Sequence, residues 1–342
     1  MKKTLEDLNT LLNIESPTGD TEEAISFVEA EFIALGLRTQ RTKKGALIAT
    51  LLGTNTSKAI TLSAHVDTLA AMVKSITAQG TLKLTQIGGY AWTTIEGEHV
   101  SITTLSGKKI SGTVLSTVAS SHVHGALTNS TVRDETTLEV RLDEKVFTQD
   151  DVKALGINVG DFVNFDPRTK FTESGFIKSR HLDDKACVVS LLAIAKHFVL
   201  GNQLPNYTTH FFISNYEEVG HGASAAIPAD TFEFIALDMA APGQNQTSDE
   251  YSVTICAKDS SGPYDLEMRK RLIQLTQEKN INYKIDIYPF YGSDASAALR
   301  AGHDFPCALI GPGVDASHSY ERTHIEAIDA TIQLTVAYLE SL

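Results

Sequence analysis

Apolar residues recur at helical spacing from the start of the chain. Leu5, Leu8, Leu11 and Leu12 predict a helix over Thr4 to Asn13, and Ser16-Pro17-Thr18-Gly19 stops it with turn formers. A second helix is expected from near Thr21, with Ile25, Val28, Phe32 and Leu35 as its buried face and Gly36 as its end. Two strand-like runs follow, ALIATLL from Ala46 and AITLSAH from Ala59. From about Leu69 the pattern changes to short β-branched segments with Gly-rich turns at Gly88-Gly89 and Gly107. This predicts an inserted β-rich domain over residues 69–161, with one short helix in TQDDVKALGINVGD.

Beyond that insertion, strand and helix alternate. A helix from Asp184 to about Leu200 precedes the strand runs TTHFFISN, FIALD and YSVTICA, then a helix over Leu266 to Lys279. Strand YKIDIY, helix DASAALRAG, strand CALIGPG and a helix from Ile328 complete the chain. Such alternation implies an α/β sheet covered by helices on both faces, built from residues 1–68 and 162–342.

Charge and composition narrow the function. Among 342 residues, 29 are Lys or Arg and 42 are Asp or Glu, a net charge of −13, and no basic cluster is long enough to track phosphates. Nucleic acid is excluded as a partner. No apolar run reaches the roughly 18 residues needed to span a bilayer, so no membrane association is expected. Acidic residues interrupt the first apolar stretch and no cleavage site follows it. With no export signal, Cys187, Cys256 and Cys307 read as reduced thiols of a cytoplasmic protein.

Five motifs carry the chemistry: SAHVDT, RHLDDK, NYEEVG, ALDMA and SHSYE. His65 and Asp67 directly follow the strand run ITLSA, where alternation points both to the same side. Asp183 and Asp184 open a helix and, taken alone, read as N-terminal caps. Glu217 and Glu218 follow a strand, and their adjacent charges repel unless solvent or a cation relieves them. Asp238 ends the run FEFIAL, and His318 lies in a loop of small and polar residues, with His324 as a nearby competitor. Individually each has a bland reading as a turn or surface residue. Together they offer the oxygen and imidazole ligands that a pair of divalent metals requires, four motifs at strand ends and the fifth opening a helix.

These motifs, with SPTGDTEEA, the turn at Ile87-Gly89, LGINVGD and GSDA at Gly292–Ala295, resemble the glutamyl and deblocking aminopeptidases and the tetrahedral dodecameric peptidases related to them. The resemblance covers nearly the whole chain. It implies a phosphorylase/hydrolase-like zinc-peptidase α/β/α sandwich with an inserted small β-barrel-like domain that serves dimerisation and assembly. It further implies two divalent metal ions per subunit, zinc or cobalt with manganese as a further option. Asp183 would bridge them, His65 and Asp238 would bind one, and Glu218 and His318 the other. Glu217 would be the general base and Asp67 the acid that orients His65.

The activity so implied is removal of N-terminal residues from peptides through a water activated by two bridged metals, in a homo-oligomer, by resemblance a dodecamer. The chain departs from the family pattern at Thr68-Leu69 after Asp67 and at His221-Gly222 after EEVG. Three other readings stay open from sequence. Paired carboxylates can hydrolyse a glycosidic bond without metal, as in an endoglucanase. An activated water can deacylate N-acyl amino acids. An inactive relative can serve only as an assembly protein.

Overall fold

The computed structural model describes residues Met1–Ser341. The chain forms two compact units, Met1–Thr68 with Thr169 onward, and Leu69–Arg168.

The first unit is built on a nine-stranded sheet. Its order is Arg38–Arg41, Leu47–Leu51, Tyr207–Ser214, Asn55–His65, Thr231–Leu237, Cys307–Pro312, Val253–Asp259 and Gly262–Pro263, with Tyr283–Ile287 paired to Val253–Asp259. The four central strands, from Tyr207–Ser214 to Cys307–Pro312, run parallel. They therefore end together, at Ser214, His65, Leu237 and Pro312.

Alternation along these strands divides the core in two. Phe211, Ile213, Ile235, Leu237, Ala308 and Ile310 face one cluster, while Phe212, Phe234, Ala236, Cys307 and Leu309 face the other. Helices Lys2–Leu12, Glu22–Ala34, Leu182–Leu200, Leu266–Lys279 and Ile325–Ser341 supply the first cluster. The second is covered by the short helix Asp294–Arg300, through Ala295 and Ala298. Both faces are buried as the alternation requires, but very unequally. No helix among the described residues is long and apolar enough to cross a membrane.

A separate three-stranded sheet, Lys170–Phe171, Phe176–Ser179 and Glu321–His324, was not visible in the hydrophobic pattern. Its last strand reads Glu-Arg-Thr-His, too short and polar to register as a strand. Its partner lies far away in sequence, with Ser179 opposite Glu321.

The second unit contains a closed six-stranded barrel in the order Ala70–Ile76, Leu82–Ile87, Leu138–Leu142, Lys109–Ser116, His99–Thr103 and Phe162–Phe165. Its core holds Val73, Leu84, Ile102, Val114, Val140 and Val163. Phe162–Phe165 lies beyond the boundary read from sequence at residue 161, yet it pairs with both His99–Thr103 and Ala70–Ile76 and so closes the barrel. Two short helices, Ser121–His124 and Leu127–Ser130, add to the single helix expected there, Gln149–Ala154.

Lys185 is only 1% exposed inside the first core. Its ammonium donates to the carbonyls of Leu11 at 3.0 Å and Ile14 at 2.6 Å, tying the helix Leu182–Leu200 to the end of Lys2–Leu12, where carbonyls lack helical partners. Burial lowers its pKa from 10.5 to about 7. The folded chain then holds fewer protons than the unfolded one between about pH 7 and 10.5, so stability rises with pH across that window. Lys185→Met is expected to cost about 1–3 kcal/mol near neutrality, because the Ile14 carbonyl loses the ammonium and the Leu11 carbonyl keeps only the Ile14 N–H. It should also remove this part of the alkaline rise. Urea unfolding of both proteins from pH 6 to 10 checks it; parallel pH profiles would refute the assignment.

Candidate metal centre

At the carboxyl end of the parallel strands the chain turns four times, and each turn delivers a polar side chain to one cleft. His65 is the last residue of its strand and Asp67 follows two residues later. Ser214 ends its strand just before the short 3-10 turn Glu217–Val219. Asp238 follows Leu237, and His318 comes from the loop after Pro312. A carbon at the β position of Gly311 would fall 1.8 Å from the Asp238 carbonyl oxygen. Glycine there lets the neighbouring strand close on the aspartate's backbone.

Asp183 enters from the adjoining connection. Asp183 and Asp184 have non-helical dihedral angles, so the regular helix starts after them. Their carboxylates do not cap it, as the bland reading of sequence had them: Asp184 Oδ2 accepts the His65 N–H and its Oδ1 has no hydrogen-bond partner. The Asp183 carboxylate instead lies between two imidazoles. Its Oδ1 is 3.2 Å from His65 Nε2 and its Oδ2 is 3.4 Å from His318 Nε2. Glu218 Oε2 lies 3.7 Å from His318 Nε2, and Glu217 Oε2 lies 3.8 Å from His65 Nε2. Asp238 groups with His65 and Glu217, and again with Asp183 and Asp184, each set having ligand atoms within 4.8 Å of one another.

His65 Nδ1 is 2.9 Å from the carbonyl oxygen of Asp67. A carbonyl only accepts, so Nδ1 carries a hydrogen, and Nε2 is the nitrogen turned toward Asp183. The Asp67 carboxylate, expected to orient His65, is 3.6 Å from that nitrogen. It is occupied elsewhere. It accepts the Thr18 hydroxyl at 2.7 Å and the backbone N–H groups of Glu217 at 3.1 Å and Glu218 at 3.3 Å. Asp67 thus orients His65 with its backbone and holds the glutamate turn with its side chain.

His324, the competitor of His318, has its Nε2 against the Ser174 carbonyl at 2.8 Å and its ring against Phe176 and Tyr251. His221 stacks on Tyr216 instead of entering the cluster. Asp294 accepts the Ala223 N–H at 2.9 Å and lies among the residues that support the glutamate turn.

Sequence reading left Asp184 and Glu321 without a role. Asp184 is fully buried and accepts the His65 N–H at 3.2 Å. Glu321, 2% exposed, accepts the backbone N–H groups of Asp183 and His318. The doublet in LDDK was a signal for Asp184; for Glu321 there was none beyond its nearness to His318.

Electrostatics set this cluster apart from an ordinary ion-pair network. Burial pushes Glu217 and Asp184 well above the usual carboxylate range, reinforced in both by Asp238. Burial, with Asp183 next, raises Glu218 to about 8 and Asp238 to about 7. Burial would also raise Asp183, but hydrogen bonds from His318 and His65 hold it well below that range. Burial disfavours a charged His65, yet hydrogen bonding to Asp183 and the nearby carboxylates carry its pKa well above the usual value.

Five carboxylates therefore share a buried space with two imidazoles. Oδ1 of Asp184 and Oε1 of Glu218 are buried with no hydrogen-bond partner. Orphaned carboxylate oxygens, crowded like charges and two imidazole nitrogens turned toward one carboxylate fit a pair of divalent cations.

The cluster lies at one end of a cavity of about 610 Å³, whose remaining wall includes Met239, Pro242, Tyr288, Phe290 and Tyr291. That size suits a small ligand or a few residues of peptide. Glu217 retains 16% of its side-chain exposure and Glu218 only 3%.

Residues 45–334 match the model of the M42 glutamyl aminopeptidase family. The chain is 51% identical over 342 residues to the protein named Putative aminopeptidase YhfE of Bacillus subtilis (strain 168), covering 100% of this chain and 98% of that one. Among solved structures, it resembles the TET aminopeptidase of Thaumarchaeota archaeon SCGC AB-539-E09 with a TM-score of 0.89 at 16% identity, covering 99% and 97% of the two chains. It also resembles the Pyrococcus horikoshii TET1 peptidase, described as assembling into a tetrahedron or a large octahedral shell, with a TM-score of 0.85 at 22% identity over 99% and 100%. The mixed sheet with its inserted six-stranded barrel is the TET aminopeptidase fold, and the chain belongs to the M42 family of aminopeptidases, which are metallohydrolases.

Proposed function

We propose that this protein hydrolyses N-terminal residues from peptides. In this reading His65 and Asp238 would hold one divalent cation and Glu218 and His318 a second, Asp183 would serve both, and Glu217 would be the general base. The observation that carries it is the division of one carboxylate between two imidazoles: Asp183 Oδ1 toward His65 at 3.2 Å and Oδ2 toward His318 at 3.4 Å. Imidazole nitrogen and carboxylate oxygen donors suit zinc, cobalt and manganese. When bound, such cations supply Lewis acidity for the scissile carbonyl and for deprotonation of water near neutral pH.

The chain's own residues supply the rest. Glu217 Oε2 takes the proton of the attacking water and passes it to the departing amine nitrogen. Asp67 keeps that carboxylate in place by accepting the Glu217 N–H at 3.1 Å. The apolar part of the cavity, Met239, Pro242 and Tyr288 among its residues, receives the substrate's side chain and excludes water around it. The acidic end favours a free ammonium over an acylated terminus.

Chelation tests this reading. Hydrolysis of aminoacyl anilides is expected to vanish after chelator treatment and to return with cobalt or zinc, while acyl-aminoacyl anilides and β-glucan remain poor substrates. Chelator-resistant glucan cleavage would instead favour two carboxylates acting without metal. Preferred cleavage of the acylated anilides would make the protein a deacylase.

We also assign self-association to the barrel unit. Leu105, Val123, Leu127, Val132, Phe147 and Val159 are 57–89% exposed there. Such side chains offer apolar surface to a partner copy, and the Pyrococcus horikoshii relative is described as assembling into a tetrahedron or a large octahedral shell. A dodecamer is the expected state. Light scattering should give a mass many times 37.1 kDa, and a monomer would overturn the assignment.

A further inference from the structure

Glu321 joins the two segments that carry Asp183 and His318. The strand Phe176–Ser179 lies antiparallel to Glu321–His324, with Ser179 opposite Glu321. From Ser179 the chain runs forward to Asp183, and His318 lies just before Glu321, so both leave the same end of this ladder. The Glu321 side chain lies between them. Its Oε2 accepts the Asp183 N–H at 3.1 Å and its Oε1 accepts the His318 N–H at 3.1 Å.

Carboxylate chemistry matters at this position. Two backbone donors converge on one side chain, and only a carboxylate offers an acceptor oxygen to each. Glutamine has the same shape, but its amide nitrogen would turn a donor toward one of those N–H groups. The His318 loop is also closed at its base, where Asp315 and Arg322 exchange backbone hydrogen bonds at 2.7 and 3.1 Å. Ala316 and His318 both have positive φ, 58° and 64°, and the intervening turn is closed by the Ser319 N–H to the Ala316 carbonyl at 3.0 Å.

We propose that Glu321 is a positioning residue that fixes the spacing of Asp183 and His318, so that the cation shared by those two ligands depends on it. Glu321 itself makes no contact with substrate. The inference rests on the reading of Asp183 and His318 as ligands, and it adds a residue that this reading did not include.

The test is a cobalt titration of chelated wild-type and Glu321→Gln protein, following stoichiometry and the visible absorption of the bound ion. Wild type is expected to take up two ions per chain. In Glu321→Gln one ion should bind as in wild type and the other about 10–100-fold more weakly, the usual scale for losing a partner that orients a ligand. Its absorption band should shift. The melting temperature of the chelated proteins separates positioning from general support. A lowered melting temperature with both affinities unchanged overturns the inference.

Should Glu321→Gln fail to fold, Glu321→Asp serves in its place. It keeps the charge and both acceptors but withdraws them by one methylene, and the same selective weakening is expected. Unchanged affinities there also overturn the inference. A wild-type chain that binds no cobalt would overturn the metal reading, and this inference with it, in a way that the variant comparison alone cannot.

Discussion

Glu217→Gln is expected to keep both cations and to lose about 10²–10⁴-fold in kcat, the range attributed to a positioned general base. Glutamine preserves the shape of the side chain, and the Asp67 carboxylate still accepts the residue's N–H, so the turn stays in place. What disappears is the ability to hold a proton. The choice of Glu217 over Glu218 as base rests on access. Glu218 is almost fully buried beside His318, whereas Glu217 faces the cavity with 16% of its side chain exposed.

The same geometry offers a competing role, because Glu217 lies within ligand distance of His65 and Asp238. Measuring cation content together with turnover decides between them. Loss of a cation in the purified variant would make Glu217 a ligand, and full activity would remove it from the chemistry. A pH profile adds an independent readout. Burial raises the Glu217 pKa well above 4.5, and a base acts only when deprotonated, so the acid limb of kcat/KM should lie above pH 4.5 and vanish in the variant.

Much of the site was legible because each motif adjoins a strongly apolar run. Hydrophobic strands such as ITLSA and HFFISN announce themselves by composition, and in a parallel sheet the residues just past their ends must gather at one edge. That rule brings His65, Glu217, Glu218 and Asp238 to one edge, while their separate roles came from the resemblance. His318 was harder to place, since a loop histidine has no period to fix it; the resemblance selected it over His324, and its Nε2 lies 3.4 Å from Asp183 while that of His324 lies 2.8 Å from the Ser174 carbonyl.

What stayed hidden depends on pairings between residues distant in sequence. Glu321 acts through a ladder with Ser179, and four polar residues carry no local sign of that partner. The resemblance assigned the Asp67 carboxylate to His65; in the structure the Asp67 carbonyl lies nearer the imidazole, at 2.9 Å against 3.6 Å. The end of the barrel was misread for a related reason. Phe-Val-Asn-Phe at 162–165 looks like any short strand, and only its hydrogen-bonded neighbours show to which sheet it belongs.

Asp183→Ala should have the largest effect on the centre, since it deletes the one side chain that faces both imidazoles. Cation content is expected to fall to one or fewer per chain after gel filtration. Turnover should drop by at least about 10²–10³-fold, the scale of removing a single element of transition-state electrostatics. The stability response is the more discriminating measurement. Asp183 is one of the charges that raise Glu218, Asp238 and Asp184, so its removal relieves repulsion within the buried cluster. Against this stand the His318 and His65 hydrogen bonds that favour charged Asp183, so the chelated variant should be about as stable as chelated wild type, or less so. Wild type should gain about 2.7 kcal/mol when a cation is supplied at a hundred times its dissociation constant, because ligand binding to the folded state adds directly to stability. The variant should gain little. Equal stabilisation of both proteins by zinc or cobalt would mean that the cations bind elsewhere, and Asp183 would no longer be the shared ligand around which the other assignments are arranged.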